Sequence, residues 1–229
     1  MNAKSAFWAG LLAGGPIVLS YLPIAFSFGV AATQAGLTAA EAVALSVIVY
    51  AGASQFLAVA LITSGAPVLV TAFTLMLMNI RHMLYGPALM KQAGPEAATR
   101  HAWAWAWGLT DEVFGQALGA MARGQRFSEP YMFGLGLGPY LAWTTGTALG
   151  ASVGEGALAG YPALSAGLGF MLPALFLSLL LSVLMQRQLP VVAVAAGATV
   201  VGTLALSPTA GILTGMLAGA LAGLVRRAR

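Results

Sequence analysis

Hydrophobic residues in this chain collect into unbroken stretches of about 20 residues, the length that crosses a hydrocarbon core about 30 Å thick as an α-helix. The strict alternation of a transmembrane β-barrel is missing. Because backbone N–H and C=O groups in lipid need internal partners, the stretches are predicted to be helices. The eight predicted segments run roughly from Phe7 to Ala32, Ala40 to Ser64, Ala66 to Leu89, His101 to Ala122, Pro130 to Ser152, Pro162 to Met185, Pro190 to Leu206 and Pro208 to Val225.

Composition supports the same class of protein. Of the 229 residues, 59% are hydrophobic and only 7% are charged, and the mean hydropathy is +0.88. A soluble domain carries roughly 25% charged residues because its surface faces water, so this composition excludes a soluble protein. Since the connectors are short and no linker separates the segments, we predict one all-α polytopic membrane domain over residues 1–229, with six to eight hydrophobic helical segments.

Positive charge is concentrated in the connectors and at the two ends. The formal net charge of +4 and the pI of about 9.8 would by themselves fit a nucleic-acid partner. Cytoplasmic loops of membrane proteins carry an excess of Lys and Arg, so we interpret the charge as a topology signal and predict no nucleic-acid partner. The basic residues concerned are Lys4, Arg123, Arg126, Arg187, Arg226, Arg227 and Arg229.

The number of membrane spans has two solutions. With eight spans and a cytoplasmic N-terminus, Lys91 and Arg100 are the loop residues that fall outside. If the second segment is re-entrant and the fourth lies at the interface, six spans place every loop Lys and Arg inside. Segment lengths favour eight spans and charges favour six, and both place the two termini in the cytoplasm. The first segment, preceded by Lys4, is too long for a signal-peptide core, so an uncleaved helix is expected.

Glycine and proline interrupt several of the apolar segments. Proline removes a backbone donor, and glycine lets the chain leave helical dihedral angles. Non-helical backbone at membrane depth is tolerated where protein buries it or where it lines a cavity, so discontinuous helices around a cavity are predicted. The alternative is that these residues serve as packing notches and kinks. The interruptions are Gly14 to Pro16, Pro23, Ala51 to Ser54, and Gly167, Gly169 and Pro173.

Two weaker patterns concern packing. Tyr21-Leu22 recurs at Tyr140-Leu141, and the tripeptide at 44–46 recurs at 163–165, both 119 residues later, which would superpose the first two segments on the fifth and sixth as transporter repeats do. The last segment also carries a ladder of glycines every four residues, from Gly211 to Gly223. Small residues on one helix face permit close backbone approach, either within this chain or to a separate subunit.

Polar groups inside apolar runs are costly and therefore mark candidate sites. The first cluster is Gly52, Ser54 and Gln55, which follow the predicted interruption of the second segment. A helix that begins there would present free backbone N–H groups and the positive end of its dipole. Such an end suits the carboxylate of a substrate.

The second cluster, Asn79, Arg81 and His82, closes the third segment. A guanidinium group can bind a carboxylate through two parallel hydrogen bonds. Histidine is the side chain that most readily exchanges a proton near neutral pH. The alternative for Arg81 is an interfacial anchor that extends to the membrane surface.

The third cluster, Asp111 and Glu112, places two acids next to each other in an apolar segment. Neighbouring residues on a helix point about 100° apart, so the two carboxylates are expected to serve different partners. One can pair with Arg81 or with a substrate ammonium group, while the other can carry a proton or face water. If the fourth segment lies at the interface, both are solvated.

Four strings in this order, PIVLSYLPIAFSFG, YAGASQF, NIRHMLYG and LTDEVFG, resemble the AzlC family of bacterial branched-chain amino acid exporters, and GLGFMLPALF resembles that family's second half. The resemblance implies a bacterial inner-membrane permease that exports valine, leucine, isoleucine and similar apolar amino acids. It also implies a partner, a small hydrophobic AzlD-type membrane subunit. The family strings fall on Gly52, Ser54, Gln55, Asn79, Arg81, His82, Asp111 and Glu112.

The leading hypothesis is therefore secondary transport of a zwitterionic amino acid by alternating access. Gly52, Ser54, Gln55, Asn79, Arg81 and Asp111 are the predicted substrate-binding residues, and His82, Asp111 and Glu112 are the candidates for proton coupling. We expect no cofactor and no metal, because the chain has no Walker motif, no cysteine and no zinc-binding helix motif. Two alternatives are an intramembrane serine hydrolase with Ser54 as nucleophile and His82 or His101 as base, and a non-transporting channel or scaffold.

Overall fold

In a computed structural model that describes residues 2–95, 97, 99–158, 160–184 and 186–227, the chain is 83% helical and these residues contain no strand. An all-α membrane protein is thus confirmed. A short 3₁₀ turn spans Gln186–Gln188. The α-helices of these residues are α1 (Ala3–Ala13), α2 (Gly15–Gln34), α3 (Ala39–Ile48), α4 (Gly52–Thr63), α5 (Val68–Asn79), α6 (His82–Ala93), α7 (Ala102–Trp107), α8 (Asp111–Ala122), α9 (Glu129–Leu158), α10 (Pro162–Val183), α11 (Leu189–Ala205) and α12 (Pro208–Arg227).

Within the described residues, three helical stretches are long and apolar enough to cross a membrane: Gly15–Gln34, Val68–Ala93 and Gln186–Ala205. The second of them is α5 and α6 together, with a two-residue interruption between them. Shorter apolar helices are Ala39–Ile48, Gly52–Thr63 and Ala210–Arg226. The number of spans, six or eight, stays a prediction.

Local sequence signals explain where several helices begin and end. The Thr38 side chain accepts the backbone N–H of Glu41, and the Glu41 carboxylate accepts the N–H of Thr38 at 2.7 Å, so a capping box starts α3. Proline occupies the first turn of α2 and of α11, where its missing N–H has no helical partner to lose. Glycines with positive φ follow four helices, at Gly36, Gly65, Gly94 and Gly124.

The chain divides into two compact units. The first comprises Met1–Val59 and Leu75–Leu172, and the second comprises Ala60–Thr74 and Pro173–Arg229. The prediction of a single domain over residues 1–229 stays a prediction.

In the first unit, α9 packs along α1, α2 and α3. Glycines bring the backbones together, because a Cβ atom at Gly134 would lie 2.0 Å from the carbonyl oxygen of Phe7, and one at Gly150 would lie 2.0 Å from that of Phe26. Small residues take this role in membrane helices, where no hydrophobic drive pulls helices together. The side chains of Phe28 and Leu135 are fully buried in the resulting core. This packing positions the helix ends that form the site below.

The second unit contains the antiparallel contact between α11 and α12. A Cβ atom at Gly211 would lie 2.7 Å from the carbonyl oxygen of Thr199 and 1.9 Å from the hydroxyl of Thr203. Thr214 donates a hydrogen bond to the carbonyl oxygen of Ala198 at 3.1 Å. The first part of the glycine ladder therefore serves packing within the chain, whereas Gly223 has open space where a side chain would start.

Two of the predicted interruptions are present, and two are wrong. A helix boundary lies at Gly14, but Pro23 sits inside the continuous helix α2. The second interruption occupies residues 49–51, slightly before the predicted position, so that α4 already begins at Gly52. In contrast, α10 continues through positions 167, 169 and 173, so the interruption predicted there is wrong. Membrane helices tolerate glycine and proline because neighbouring groups satisfy the freed backbone.

Two further interruptions were missed by the sequence patterns. The third predicted segment is divided at Ile80 and Arg81, and the fourth is divided at residues 108–110. The first of these has neither glycine nor proline, so no helix-breaking residue marked it. The first two predicted segments form four helices and the fifth and sixth form two, so the internal repeat stays a prediction.

Candidate functional site

The interruption between α3 and α4 is built around Tyr50. Tyr50 adopts φ 35°, which only a few non-glycine residues adopt. The backbone N–H groups of the first turn of α4 have no acceptor within the helix, as at every helix start. Gly52 begins that turn with its backbone against Trp143, since a Cβ atom there would lie 2.4 Å from the indole ring. A predicted substrate-binding residue thus faces an aromatic ring of α9.

A buried hydrogen-bond network fixes this interruption. The indole N–H of Trp143 donates to Oε1 of Gln55 at 2.7 Å, and Nε2 of Gln55 donates to the hydroxyl of Ser46 at 3.0 Å. Ser46 in turn shares a hydrogen bond with Thr147 at 2.7 Å. Gln55 is fully buried, and both ends of its amide are bonded. Satisfied buried networks make a structure rigid, so Gln55 ties α3, α4 and α9 together, and its contact with a substrate stays a prediction.

Ser54 and Asn79 are brought together. The hydroxyl of Ser54 donates to Oδ1 of Asn79 at 2.6 Å, which joins the start of α4 to the end of α5. Ser54 is almost completely buried. Its hydrogen is given to an amide rather than to an imidazole, which is not the arrangement that activates a serine nucleophile.

Arg81 and Asp111 form an ion pair between two helix interruptions. Nη2 of Arg81 lies 2.7 Å from Oδ2 of Asp111, and the two side chains are 44% and 29% exposed. The hydroxyl of Tyr85 donates to the other oxygen, Oδ1. Tyr85 itself stacks on Phe114 at a centroid distance of 4.4 Å and meets the edge of His82 at 5.2 Å. Asp111 therefore has a partner for each of its two oxygens.

Glu112 points to a different helix. The hydroxyl of Tyr21 on α2 lies 2.5 Å from Oε2 of Glu112 and 2.6 Å from the hydroxyl of Thr110. Thr110 also caps α8, because its hydroxyl accepts the N–H of Val113. The two acids thus occupy the first turn of α8, where the helix dipole favours negative charge, rather than the interior of a helix. As the 100° divergence predicts, they contact different partners.

Aromatic side chains connect these groups within the first unit. Tyr21 meets Trp143 edge to face at 5.1 Å, so the partner of Glu112 touches the partner of Gln55. Tyr50 meets Tyr140 of α9 edge to face at 4.9 Å. Sequence patterns did not mark Tyr21, Tyr50 or Trp143 as site residues. A hydroxyl-bearing aromatic next to a predicted interruption was the available signal for Tyr50.

Metal binding finds no support at these groups. In the part of the chain that the structure describes, no three His, Asp or Glu side chains are grouped as a metal site requires.

The protein family described as AzlC protein matches residues 16–158, a stretch that contains every residue of the clusters above. The chain belongs to the AzlC family. It is 41% identical over 224 residues to the inner membrane protein YgaZ of Escherichia coli (strain K12), covering 97% of this chain and 91% of that protein. It is 24% identical over 194 residues to the branched-chain amino acid transport protein AzlC of Bacillus subtilis (strain 168), covering 82% and 73%. No solved structure matches the chain.

Membership in the AzlC family, together with the apolar helices, makes this chain a membrane transport protein. The AzlC match also covers the three interruptions at residues 49–51, 80–81 and 108–110. The helix ends described above therefore lie in the part of the chain that the family shares.

Proposed function

We propose that this AzlC-family protein exports branched-chain and similar apolar amino acids across a bacterial inner membrane as a secondary transporter, together with a small AzlD-type membrane subunit. The Bacillus subtilis relative is named a branched-chain amino acid transport protein, which supports the substrate class. The name of the Escherichia coli relative supports an inner-membrane location. Export direction and the partner rest on the family resemblance of the sequence strings.

The observation that carries the proposal is the Arg81–Asp111 pair at two helix interruptions. A zwitterionic amino acid offers one carboxylate and one ammonium group, and such a substrate needs both signs of charge in its site. Because the pair is partly exposed, Arg81 is accessible to a substrate carboxylate. A guanidinium group can hold two carboxylates at once through its several N–H donors.

The start of α4 supplies a second set of donors for the same carboxylate. Gly52 and Ser54 lie in the first turn of α4, where the backbone N–H groups and the helix dipole favour an anion. Asn79 fixes the Ser54 hydroxyl at this end. We assign the carboxylate of the substrate to the space between the start of α4 and Arg81.

Proton coupling is assigned to the groups around the pair. His82 touches the ring of Tyr85, whose hydroxyl donates to Asp111. Histidine changes its charge in the range in which a bacterial cytoplasm operates. His82, Asp111 and Glu112 are therefore the candidates through which a proton gradient drives export.

Reconstitution tests the proposal. The purified chain is placed in proteoliposomes loaded with labelled L-valine, with and without the small partner, and efflux is followed under an imposed pH gradient. We expect saturable efflux that discriminates L-valine from D-valine and needs the partner. Flux that neither saturates nor discriminates would show a channel, and equal flux without the partner would exclude the AzlD-type subunit.

The site assignment is tested with Arg81→Ala and Asp111→Asn, each of which breaks the ion pair. Both variants are expected to lower valine efflux at least tenfold, because losing one charged hydrogen bond to a substrate weakens binding by about that factor. Arg100→Ala is the matched control, because Arg100 is an exposed connector residue. Wild-type rates in both site variants would show that the substrate binds elsewhere.

A further inference from the structure

Of the two acids at the start of α8, Asp111 is paired with a cation and Glu112 has none recorded among the described residues. Within the described residues the structure records two ion pairs, Arg81 with Asp111 and His101 with Glu129, and neither includes Glu112. Glu112 receives the hydroxyl of Tyr21 on Oε2, and no bond is recorded to its Oε1. An ionised carboxylate inside a membrane protein is usually paired, so a positive partner that the described residues do not supply would stabilise the charged form of Glu112.

A second unsatisfied group lies beside it. The hydroxyl of Tyr50 is buried without a hydrogen-bond partner among the described residues, and Tyr50 is only 5% exposed. Buried polar groups are almost always bonded, so the hydroxyl of Tyr50 has a bonding position that the described residues leave open. The ring of Tyr50 packs edge to face on Tyr140 at 4.9 Å, about one turn of α9 before Trp143. Since Trp143 meets Tyr21, the partner of Glu112, both open bonding positions lie in the same part of the first unit.

The groups near Glu112 come from two other helices. Tyr21 on α2 bonds to Glu112 through its hydroxyl, and Tyr85 on α6 bonds to the neighbouring Asp111. Arg81 is engaged by Asp111. In the described part of the chain, Glu112 itself thus has a hydroxyl partner and no recorded cation, which suits an incoming cation that makes several hydrogen bonds.

We propose that Glu112 and the hydroxyl of Tyr50 bind the ammonium group of the amino acid substrate. This inference rests on the proposed function and specifies its site. An ammonium group has three N–H donors, and Oε1 of Glu112 and Oη of Tyr50 are two acceptors to which the structure records no donor within the residues it describes. Asp111, whose oxygens are taken by Arg81 and Tyr85, is a positioning residue that holds Arg81 for the carboxylate. Substrates must therefore carry a free α-ammonium group.

Trp143 links the two proposed ends of the substrate site. Tyr50 is two residues before Gly52, and Trp143 contacts both Gly52 and Tyr21, the partner of Glu112. The start of α4, which we assign to the carboxylate, and Tyr21, which bonds to Glu112, therefore border the same aromatic ring. An α-amino acid carries both charged groups on one carbon atom, so the proposal requires its two ends to be bound side by side.

The test separates the two charged ends of the substrate with analogues. Wild type, Glu112→Gln and Tyr50→Phe are reconstituted with the small partner, and the KM for L-valine is measured in counterflow without a pH gradient. Isobutylamine, which has the ammonium group alone, and isovalerate, which has the carboxylate alone, serve as competitors. Glu41→Gln is the matched control, since it removes one carboxylate at an exposed cap and glutamine also forms capping boxes.

We expect Glu112→Gln to raise the KM for L-valine about tenfold to a hundredfold, and Tyr50→Phe about threefold to tenfold. The first effect is larger because a hydrogen bond to a charged group contributes more to binding than a neutral one. Competition by isobutylamine should disappear in Glu112→Gln while competition by isovalerate persists. Asp111→Asn should show the opposite pattern, because it disturbs Arg81. Glu112→Asp, which keeps the charge, should recover part of the affinity and so shows that loss in Glu112→Gln is not misfolding.

Two results overturn the ammonium site while leaving the proposed function intact. In one, wild type transports L-valine and Glu112→Gln keeps the same KM and the same competition by isobutylamine. In the other, Glu112→Gln loses only flux driven by a pH gradient and keeps the counterflow KM, which identifies Glu112 as a proton carrier. A wild-type protein that transports no apolar amino acid overturns the proposed function, and the ammonium site with it.

Discussion

Trp143 donates its indole N–H to Oε1 of Gln55 across the interruption between α3 and α4, at 2.7 Å. The bond is fully buried, and the other end of the same amide holds Ser46. One glutamine thus fixes the start of α4 to two other helices of the first unit. The half-helix that we assign to substrate binding depends on it for its position.

Replacing that amide should destabilise the protein. Gln55→Leu keeps the size but leaves the indole N–H of Trp143 buried without an acceptor, which costs about 1–3 kcal/mol in the free energy of unfolding. Thermal unfolding of the purified protein in detergent measures the change. Gln34→Leu is the matched control, because Gln34 is exposed at the end of α2. Equal unfolding temperatures for the two variants would contradict a role of the network in stability.

A methyl group at Gly52 should impair transport. The added Cβ atom of Gly52→Ala would lie 2.4 Å from the Trp143 ring, so the ring must move, and it contacts both Gln55 and Tyr21. We expect valine efflux to fall at least tenfold, since misplacing site groups by about 1 Å has such effects. The measurement is the initial efflux rate from proteoliposomes.

Gly115→Ala is the control for Gly52→Ala. Gly115 lies in α8 with open space around its Cβ position, so alanine there should leave efflux unchanged. If Gly52→Ala also transports at the wild-type rate, the contact between Gly52 and Trp143 has no bearing on the substrate site.

Sequence patterns identified the membrane class and the polar clusters but located the helix interruptions unevenly. Runs of apolar residues report directly on burial in lipid, so the helical segments followed from them. Glycine and proline marked the boundaries at Gly14 and near Tyr50, yet α10 runs through position 173 without a break. Both residues permit an interruption without requiring one, because neighbouring groups can satisfy the backbone.

The interruption at residues 80–81 could not be predicted from local propensity. Neither Ile80 nor Arg81 breaks helices, and in the structure Arg81 is held by Asp111, thirty residues later. Such a tertiary contact overrides local preference and has no signature in the segment itself. For the same reason the partnership of Tyr21 with Glu112 was invisible in a chain read one segment at a time.

The glycine ladder gives a prediction for the second unit. Gly211→Ala would place a methyl group 2.7 Å from the carbonyl oxygen of Thr199 and should force α11 and α12 apart. Overpacking of this kind costs about 1–3 kcal/mol. Gly223→Ala, with no atom near its Cβ position, should be neutral or slightly stabilising, as alanine favours a helix over glycine. Thermal unfolding of both variants, compared with wild type, gives the test, and equal destabilisation would show that the ladder does not pack on α11.

Glu129 gives a prediction about pH. Its carboxylate accepts the backbone N–H groups of Arg100 and His101 at 2.7 and 2.6 Å, and it is 3.2 Å from the indole nitrogen of Trp105. Desolvation acts to raise the pKa of Glu129, but these hydrogen bonds together outweigh it and hold the pKa below its ordinary value of 4.5. The ionised carboxylate therefore stabilises the connector that precedes α7.

The direction in which stability changes with pH follows from the lowered pKa of Glu129. Since the folded protein binds the Glu129 proton more weakly than the unfolded chain, the stabilisation is complete above about pH 4.5 and is lost as the pH falls through the lowered folded-state pKa. We expect Glu129→Gln to be less stable than wild type at pH 7 and the difference to shrink below pH 4.5. Gln125→Ala, a neutral change in the neighbouring connector, should differ from wild type by a constant amount over the same pH series. A constant difference for Glu129→Gln as well would mean that the charge of Glu129, and hence its bonds to the 100–101 backbone, does not stabilise the fold.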